Sequence, residues 1–417
     1  MPTATTRKRP APSASPKKAA AAAQRRPAAN APVRLGIIGV GGMGGYHANY
    51  LREGKVSRVV IAAIADRNPA KLEKYKGWQG VELFRDGADL IAKAQVDAVL
   101  VATPHYDHTT LGIAALNRGL HLLVEKPISV HRADCERLIA AHEAHPELVF
   151  AAMFNQRTIK AHIRMKELVA KGELGEIRRI NWIVTDWFRT DSYYASGGWR
   201  ATWAGEGGGV LLNQCPHNLD LLQWITGMMP NQVRAFCNFG KRHEIEVEDE
   251  VTAYLEYPNG ATGVFITTTG EAPGTNRLEI VGERGKLIFE GQENLKFVRN
   301  EVPMGEFCRT AAGGFDKPET WNVEIHADRS GPQHQGITQN FVDAILDGTP
   351  LIARAEEGIR SVEIANAMLL STFLDRTVTL PIDGALYEKE LKKRFQTGAA
   401  KKKKVVKASE SSMASTF

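Results

Sequence analysis

Cysteine is scarce. The four in 417 residues, Cys135, Cys215, Cys237 and Cys308, never fall in a C-x-x-C spacing. Four scattered cysteines disfavour both a disulfide framework and a structural zinc site. Reduced thiols and no bound metal are the expectation. No apolar run approaches about 20 residues, so no membrane-spanning helix is predicted. Acidic residues are missing from the ends: residues 1–32 hold seven Lys/Arg and no acid, and residues 392–417 hold eight Lys/Arg and one acid. The net charge of +6 is therefore a sum of +14 in the two ends and −8 between them. An acidic body offers no groove for a nucleic acid backbone. Binding through the tails would be salt-sensitive and without sequence preference, so no specific nucleic acid partner is expected. An export leader needs an apolar segment after its basic start. Pro27–Pro32 follows the Arg25-Arg26 pair instead, and the cytoplasm is the expected location. Residues 1–32 and 392–417 read as disordered basic tails.

What is present between the tails is a change of pattern. Apolar runs at Val33–Val40, Val59–Ala65, Val96–Ala102 and His121–Val124 alternate with helical segments, Gly44–Leu51, Pro69–Lys76, Asp86–Ala94 and Thr109–Arg118. Strands alternating with helices predict a parallel sheet covered on both faces. After about residue 155 strand-like runs follow one another directly, with a hairpin signal at Pro258-Asn259-Gly260. The predicted fold class is an α/β Rossmann domain over residues 33–154, then an α+β domain over residues 155–385 with a large, mostly antiparallel open sheet.

The first strand runs into Gly39-Val40-Gly41-Gly42-Met43-Gly44. Gly39 suits a tight turn, Gly41 lets backbone approach a pyrophosphate, and Gly44 permits close packing of helix on strand. The helix N-terminus offers free N–H groups to phosphates. Asp66 ends the second strand, where its carboxylate can accept hydrogen bonds from both ribose hydroxyls, favouring NAD. Arg67 beside it is the residue that could instead grip a 2′-phosphate, which leaves NADP open.

Glu125-Lys126-Pro127 lies at the carboxyl end of a parallel strand, the edge where such sheets bind ligands. Lys126 either points into that cleft as a proton-handling group or snorkels from the surface. Gly207-Gly208-Gly209 opens a segment that reads as one helix from Val210. It sets Asn213, His217 and Asp220 at i, i+4 and i+7 on one face. That face either presents a base to a pocket or buries a histidine in the core.

In this order, the glycine fingerprint, Thr103-Pro104 with His108, Glu125-Lys126-Pro127 and the glycine-rich helix ending in His217-x-x-Asp220 resemble the glucose–fructose oxidoreductase/inositol dehydrogenase/rhizopine catabolism family, from about Val33 to Ile382. The resemblance implies hydride transfer at a hydroxyl-bearing carbon of a sugar, glycoside or inositol-like polyol, and a homodimer or homotetramer built on the open sheet. It implies that Lys126 and His217 are catalytic and that Thr103, Pro104, His108 and Glu125 line the cofactor. Asn213 stands where many members have Asp. An amide cannot relay a proton, so Asn213 is expected to orient the substrate or His217. A few relatives sense a dinucleotide without catalysis, which is the alternative function.

The stretch from Asp186 to Trp203 is dense in aromatic and charged residues. Trp187, Arg189, Tyr194, Trp199 and Arg200 are the candidate sugar-binding residues, since sugars offer apolar faces rimmed with hydroxyls. Asn155 and Arg157 are expected to line the same cleft. This aromatic version of the motif most resembles members acting on glycosides, including oxidation at C3.

Overall fold

The computed structural model describes residues 31–291 and 295–397. Its first half is β1 (Val33–Ile38), α1 (Gly42–Arg52), β2 (Val59–Ala65), α2 (Pro69–Leu72), β3 (Glu82–Phe84), α3 (Gly87–Lys93), β4 (Ala98–Val101), α4 (His105–Asn117), β5 (His121–Val124), α5 (Arg132–Glu143) and β6 (Phe150–Ala152). The six strands pair in parallel in the order β3-β2-β1-β4-β5-β6. Strands β4 and β5, AVLV and HLLV, are buried throughout, as strands covered on both faces must be. The order reverses between β1 and β4, which opens a crevice at their carboxyl ends.

The second half is α6 (Lys160–Ala170), β7 (Ile177–Val184), α7 (Asp191–Ala195), α8 (Val210–Asn213), α9 (Pro216–Thr226), β8 (Gln232–Phe239), β9 (Glu248–Glu256), β10 (Thr262–Thr268), β11 (Asn276–Gly282), β12 (Gly285–Glu290), β13 (Leu295–Asn300), α10 (Met304–Thr310), β14 (Thr320–Ile325), α11 (Gln333–Asp347), α12 (Gly358–Leu374), β15 (Val378–Thr379) and α13 (Gly384–Thr397). Its nine-stranded sheet runs β14-β13-β12-β11-β7-β10-β9-β8-β15. All neighbours are antiparallel except β7 and β10. Strict alternation, for example Val251, Ala253 and Leu255 buried against Thr252 and Tyr254 exposed, leaves one face on the core and one open.

Two boundaries differ from the sequence reading. The nucleotide-side core includes Ile337, Phe341, Val342, Ile345, Ala353 and Val362. The chain therefore returns to the parallel sheet after residue 333, and one cut at 154/155 does not separate the two halves. Helix α13 reaches Thr397, so residues 392–397 are helical rather than tail, anchored by Tyr387 and Leu391, which are buried. The rest of both expected tails, residues 1–30 and 398–417, lies outside the described residues. Among the described residues no helix is long and apolar enough to cross a membrane.

Candidate active site

The glycine turn has the shape a dinucleotide needs. Gly39 sits at φ 87°, and a Cβ there would lie 2.8 Å from the Ala102 carbonyl oxygen. A Cβ on Gly44 would lie 1.8 Å from the Gly39 carbonyl, so α1 packs on β1 only with glycine at both places. On the outer side Gly42 is exposed and Met43 half-buried. Gly41 is the N-cap of α1, no side chain caps it, and the first turn holds no acid. Its outward N–H groups stay available to an anion, and the cradle fits a pyrophosphate.

Asp66 is the other half of that cradle. Its Oδ2 accepts from the Val40 N–H (2.9 Å) and its Oδ1 from the Asn68 N–H (2.8 Å). The carboxylate is thus fixed beside the turn, with one lone pair of each oxygen still open. Lys71 Nζ lies 3.7 Å away. Arg67 is engaged elsewhere, 3.5 Å from both Asp86 and Asp107.

The strand ends bring together the catalytic candidates. Lys126 Nζ donates to the Asn213 carbonyl oxygen at 2.8 Å. Burial pushes the Lys126 ammonium below its usual range, with Arg200 and Arg189 acting in the same direction against Glu125 and Glu206. His217 is buried, and its Nδ1 has no hydrogen-bond partner among the described residues. Burial, then Lys126 and His334, hold its imidazole well below the usual histidine range, which favours the neutral form. Thr103 Oγ1 and Asn155 Oδ1 are likewise buried and unpartnered among the described residues. Thr103 follows β4 and Asn155 follows β6, both at carboxyl ends of the parallel sheet.

Behind Lys126, Glu125 anchors a buried chain of hydrogen bonds. Its Oε1 meets His47 Nε2 (2.7 Å), His47 Nδ1 meets the Tyr50 hydroxyl (2.7 Å), and that hydroxyl meets Thr338 Oγ1 (2.7 Å). Burial raises the Glu125 carboxyl, but His47, helped by His334 and Lys126, outweighs it and holds the pKa at about 2.

The structure redraws several expected roles. The helix expected from Val210 is two helices, because Pro216 begins α9 and Gln214-Cys215 form a turn; proline lacks the N–H an interior turn needs. Arg157 does not line the cleft. It is 1% exposed and pairs with Asp220 and Glu357, so the Asp220 end of the expected polar face goes to a core ion pair. Tyr194 is also buried, its hydroxyl on Thr269 (2.7 Å). The residue beside it, Tyr193, is the one at the site: its hydroxyl contacts Asn213 Oδ1 (3.2 Å), Arg200 (2.8 Å) and Gln214 Nε2 (3.0 Å). His108 faces two backbone carbonyls, Pro127 and Thr103, each at 2.8 Å. It ties the loop after β4, where Pro104 caps α4, to the loop after β5 and keeps no nitrogen for a cofactor.

The aromatic segment does gather over the site. Arg189 lies over Trp187 and Tyr193, and Arg200 over Tyr193 and Trp199. Trp187 Nε1 donates to Asn218 (3.2 Å), and Trp199 stands edge-on to His105. Sequence reasoning missed Glu206, His105, Gln214 and His47. An acid immediately before three glycines was the available signal for Glu206.

Residues 33–153 match the family described as oxidoreductase family, NAD-binding Rossmann fold, and residues 162–288 the GFO/IDH/MocA C-terminal domain. Inositol 2-dehydrogenase 1 of Saccharopolyspora erythraea is 33% identical over 348 residues, covering 81% of this chain and 93% of its own. Rhizopine catabolism protein MocA of Rhizobium meliloti is 30% identical over 82% of this chain and 96% of its own. Among solved structures, the WlbA dehydrogenase of Bordetella pertussis in complex with NADH and UDP-GlcNAcA covers 84% of this chain and all of its own, with a TM-score of 0.70 and 24% identity. The aldose-aldose oxidoreductase of Caulobacter crescentus gives 0.66 and 22% over the same shares; at these identities the likeness is one of fold. With both halves matched in order and full-length relatives at 30% identity and above, the chain belongs to the GFO/IDH/MocA oxidoreductase family.

Proposed function

We propose that this protein is an NAD-dependent oxidoreductase acting at a CH–OH carbon of a sugar, glycoside or inositol-like polyol. The observation that carries the reading is Lys126, just past the end of β5 and bonded to the Asn213 carbonyl, with the buried His217 of α9, whose Nδ1 has no hydrogen-bond partner among the described residues. The names of the relatives, inositol dehydrogenases among them, support the substrate class.

The glycine turn and Asp66 would hold a nicotinamide cofactor, which would supply the hydride acceptor or donor. The protein's own part is the proton. In the oxidative direction His217 takes the hydroxyl proton as the carbon gives up its hydride. Lys126 polarises the same oxygen and shares the proton load. Asn213 cannot accept that proton, and orients. Trp187, Trp199 and Tyr193, with Arg189 and Arg200 over them, supply apolar platforms and donors for a pyranose or polyol ring. The dense aromatic rim favours a glycoside. A screen of glycosides, polyols and keto-sugars with NAD and NADP, followed at the NADH absorbance, tests this. Turnover of none of them would defeat it.

The open sheet face, with Phe236 58% and Tyr254 42% exposed, supports a homodimer or homotetramer, to be read by light scattering. The scattered cysteines support a reducing, cytoplasmic setting.

A further inference from the structure

Two cations, Lys126 and Arg200, act on the cleft, and the amide of Asn213 can neutralise neither. The Glu125 carboxylate is already engaged by His47. A second buried carboxylate reaches the group. Glu206, 2% exposed, accepts from Asn213 Nδ2 through Oε1 and from the Ala201 N–H through Oε2 (2.6 Å). Each oxygen faces an N–H, the arrangement of an ionised carboxylate rather than an acid. Burial holds the Glu206 carboxyl above its usual range, although Arg200, the Ala201 N–H, Asn213 and Lys126 act against it. The Glu206 backbone carbonyl also meets His105 Nδ1 at 3.1 Å, which fixes the segment against α4. On its other side the Asn213 Oδ1 takes the Tyr193 hydroxyl and Gln214 Nε2.

We propose that Glu206 is a positioning residue of the reaction: it locks the Asn213 amide in one orientation and supplies the negative charge that balances Lys126 and Arg200. The proposal rests on Lys126 being a reacting group. The charges facing Glu206 are Arg200 and Lys126, with the acidic or hydroxyl groups of Tyr193, Tyr194 and Glu248 and the His105 ring around them. Glu206 acts to raise the Lys126 pKa, alongside Glu125 and against Arg200, Arg189 and the burial of the site.

The donor–acceptor pattern makes a reciprocal exchange possible. In Glu206→Gln alone, one end of the new amide sets N–H against N–H, toward either Asn213 or Ala201. In Asn213→Asp alone, two carboxylates meet at hydrogen-bond distance and cannot both ionise. In the double variant the amide introduced at position 206 donates to the carboxylate introduced at position 213 and accepts from the Ala201 N–H, and the single negative charge is kept.

The test is this four-member cycle in the full chain, read as kcat against pH and as Tm against pH. Glu206→Gln is expected to lower kcat about tenfold and to move the alkaline apparent pKa to lower pH by about one unit, since a unit is a tenfold change in protonation equilibrium. Asn213→Asp is expected to lose Tm as pH rises through the raised pKa of the carboxylate pair. The double variant is expected to recover both the pH profile and Tm, with kcat within about threefold of the parent. A Glu206→Gln protein with an unshifted profile would reduce Glu206 to a scaffold residue and overturn the proposal, as would a double variant no better than the worse single one. If the unaltered chain turns over no polyol or sugar, the functional reading fails separately. The Tm cycle then decides the charge pairing without substrate, non-recovery overturning it.

Discussion

Arg157 and Asp220, 63 residues apart, are joined by two hydrogen bonds of 2.8 and 2.6 Å with each side chain 1% exposed. Arg157 also meets the Ile352 carbonyl (3.2 Å) and Glu357, and Phe154 and Trp224 flank its guanidinium. The pair thus fastens the segment after β6 to α9, the helix that carries His217.

Removing one member of such a pair leaves a buried charge alone, a cost of about 3–5 kcal/mol. Arg157→Met is therefore expected to destabilise the fold strongly, seen as a lower midpoint in urea, with a smaller loss in kcat per folded molecule. A stable variant that had lost only substrate affinity would return Arg157 to the cleft.

Sequence reading found what is local. The turn from Gly39 to Gly44 and Asp66 were legible because strand, turn and helix follow within one βαβ unit, and β4 and β5 because continuous apolar runs mark buried parallel strands. The placement of Arg157 was not legible, since its partners Asp220 and Glu357 are brought in only by the tertiary fold. Tyr193 and Tyr194 are adjacent in a short helix, and nothing in their order says which faces the cleft. The break before α9 was readable: Pro216 cannot sit inside a helix that also contains Asn213. Strand β14 was missed although Trp321, Val323 and Ile325 alternate with polar residues, because it sits at the sheet edge outside the glycine-bounded runs.

Asp66 is expected to set cofactor preference. With its carboxylate fixed by the Val40 and Asn68 N–H groups, NAD is expected to bind more tightly than NADP. Asp66→Ser removes the charge that repels a 2′-phosphate and leaves Lys71 and Arg67 nearby. Its NAD-to-NADP affinity ratio, measured by fluorescence titration, is expected to fall by about tenfold or more. An unchanged ratio would place the discrimination elsewhere.

Glu125 ties stability to acid. Its carboxyl is held at about 2, below its ordinary 4.5. A depressed carboxyl contributes stability that is present above the unfolded pKa and is lost as pH falls through the folded one. The window is pH 4.5 down to about 2. Glu125→Gln is expected to flatten the fall of urea midpoint with pH in that window. A variant with the parent's slope would show that other carboxyls control acid unfolding.

Removing residues 398–417 is expected to leave Tm nearly unchanged, because their composition buries little. Removing residues 384–417 takes away Tyr387 and Leu391, both buried, and is expected to lower Tm markedly. Equal Tm values for the two truncations would mean that α13 adds nothing to the core.

The most direct measurement is steady-state oxidation across pH for the parent, Lys126→Ala and His217→Ala, with NAD binding measured on each. Positioned acid–base groups contribute about a hundred- to ten-thousand-fold. Each variant is expected to lose kcat by about two orders of magnitude or more while NAD affinity stays within a few-fold, since the glycine turn and Asp66 are untouched. Near-normal turnover by His217→Ala at every pH would contradict the account, for Lys126 or water would then carry the proton.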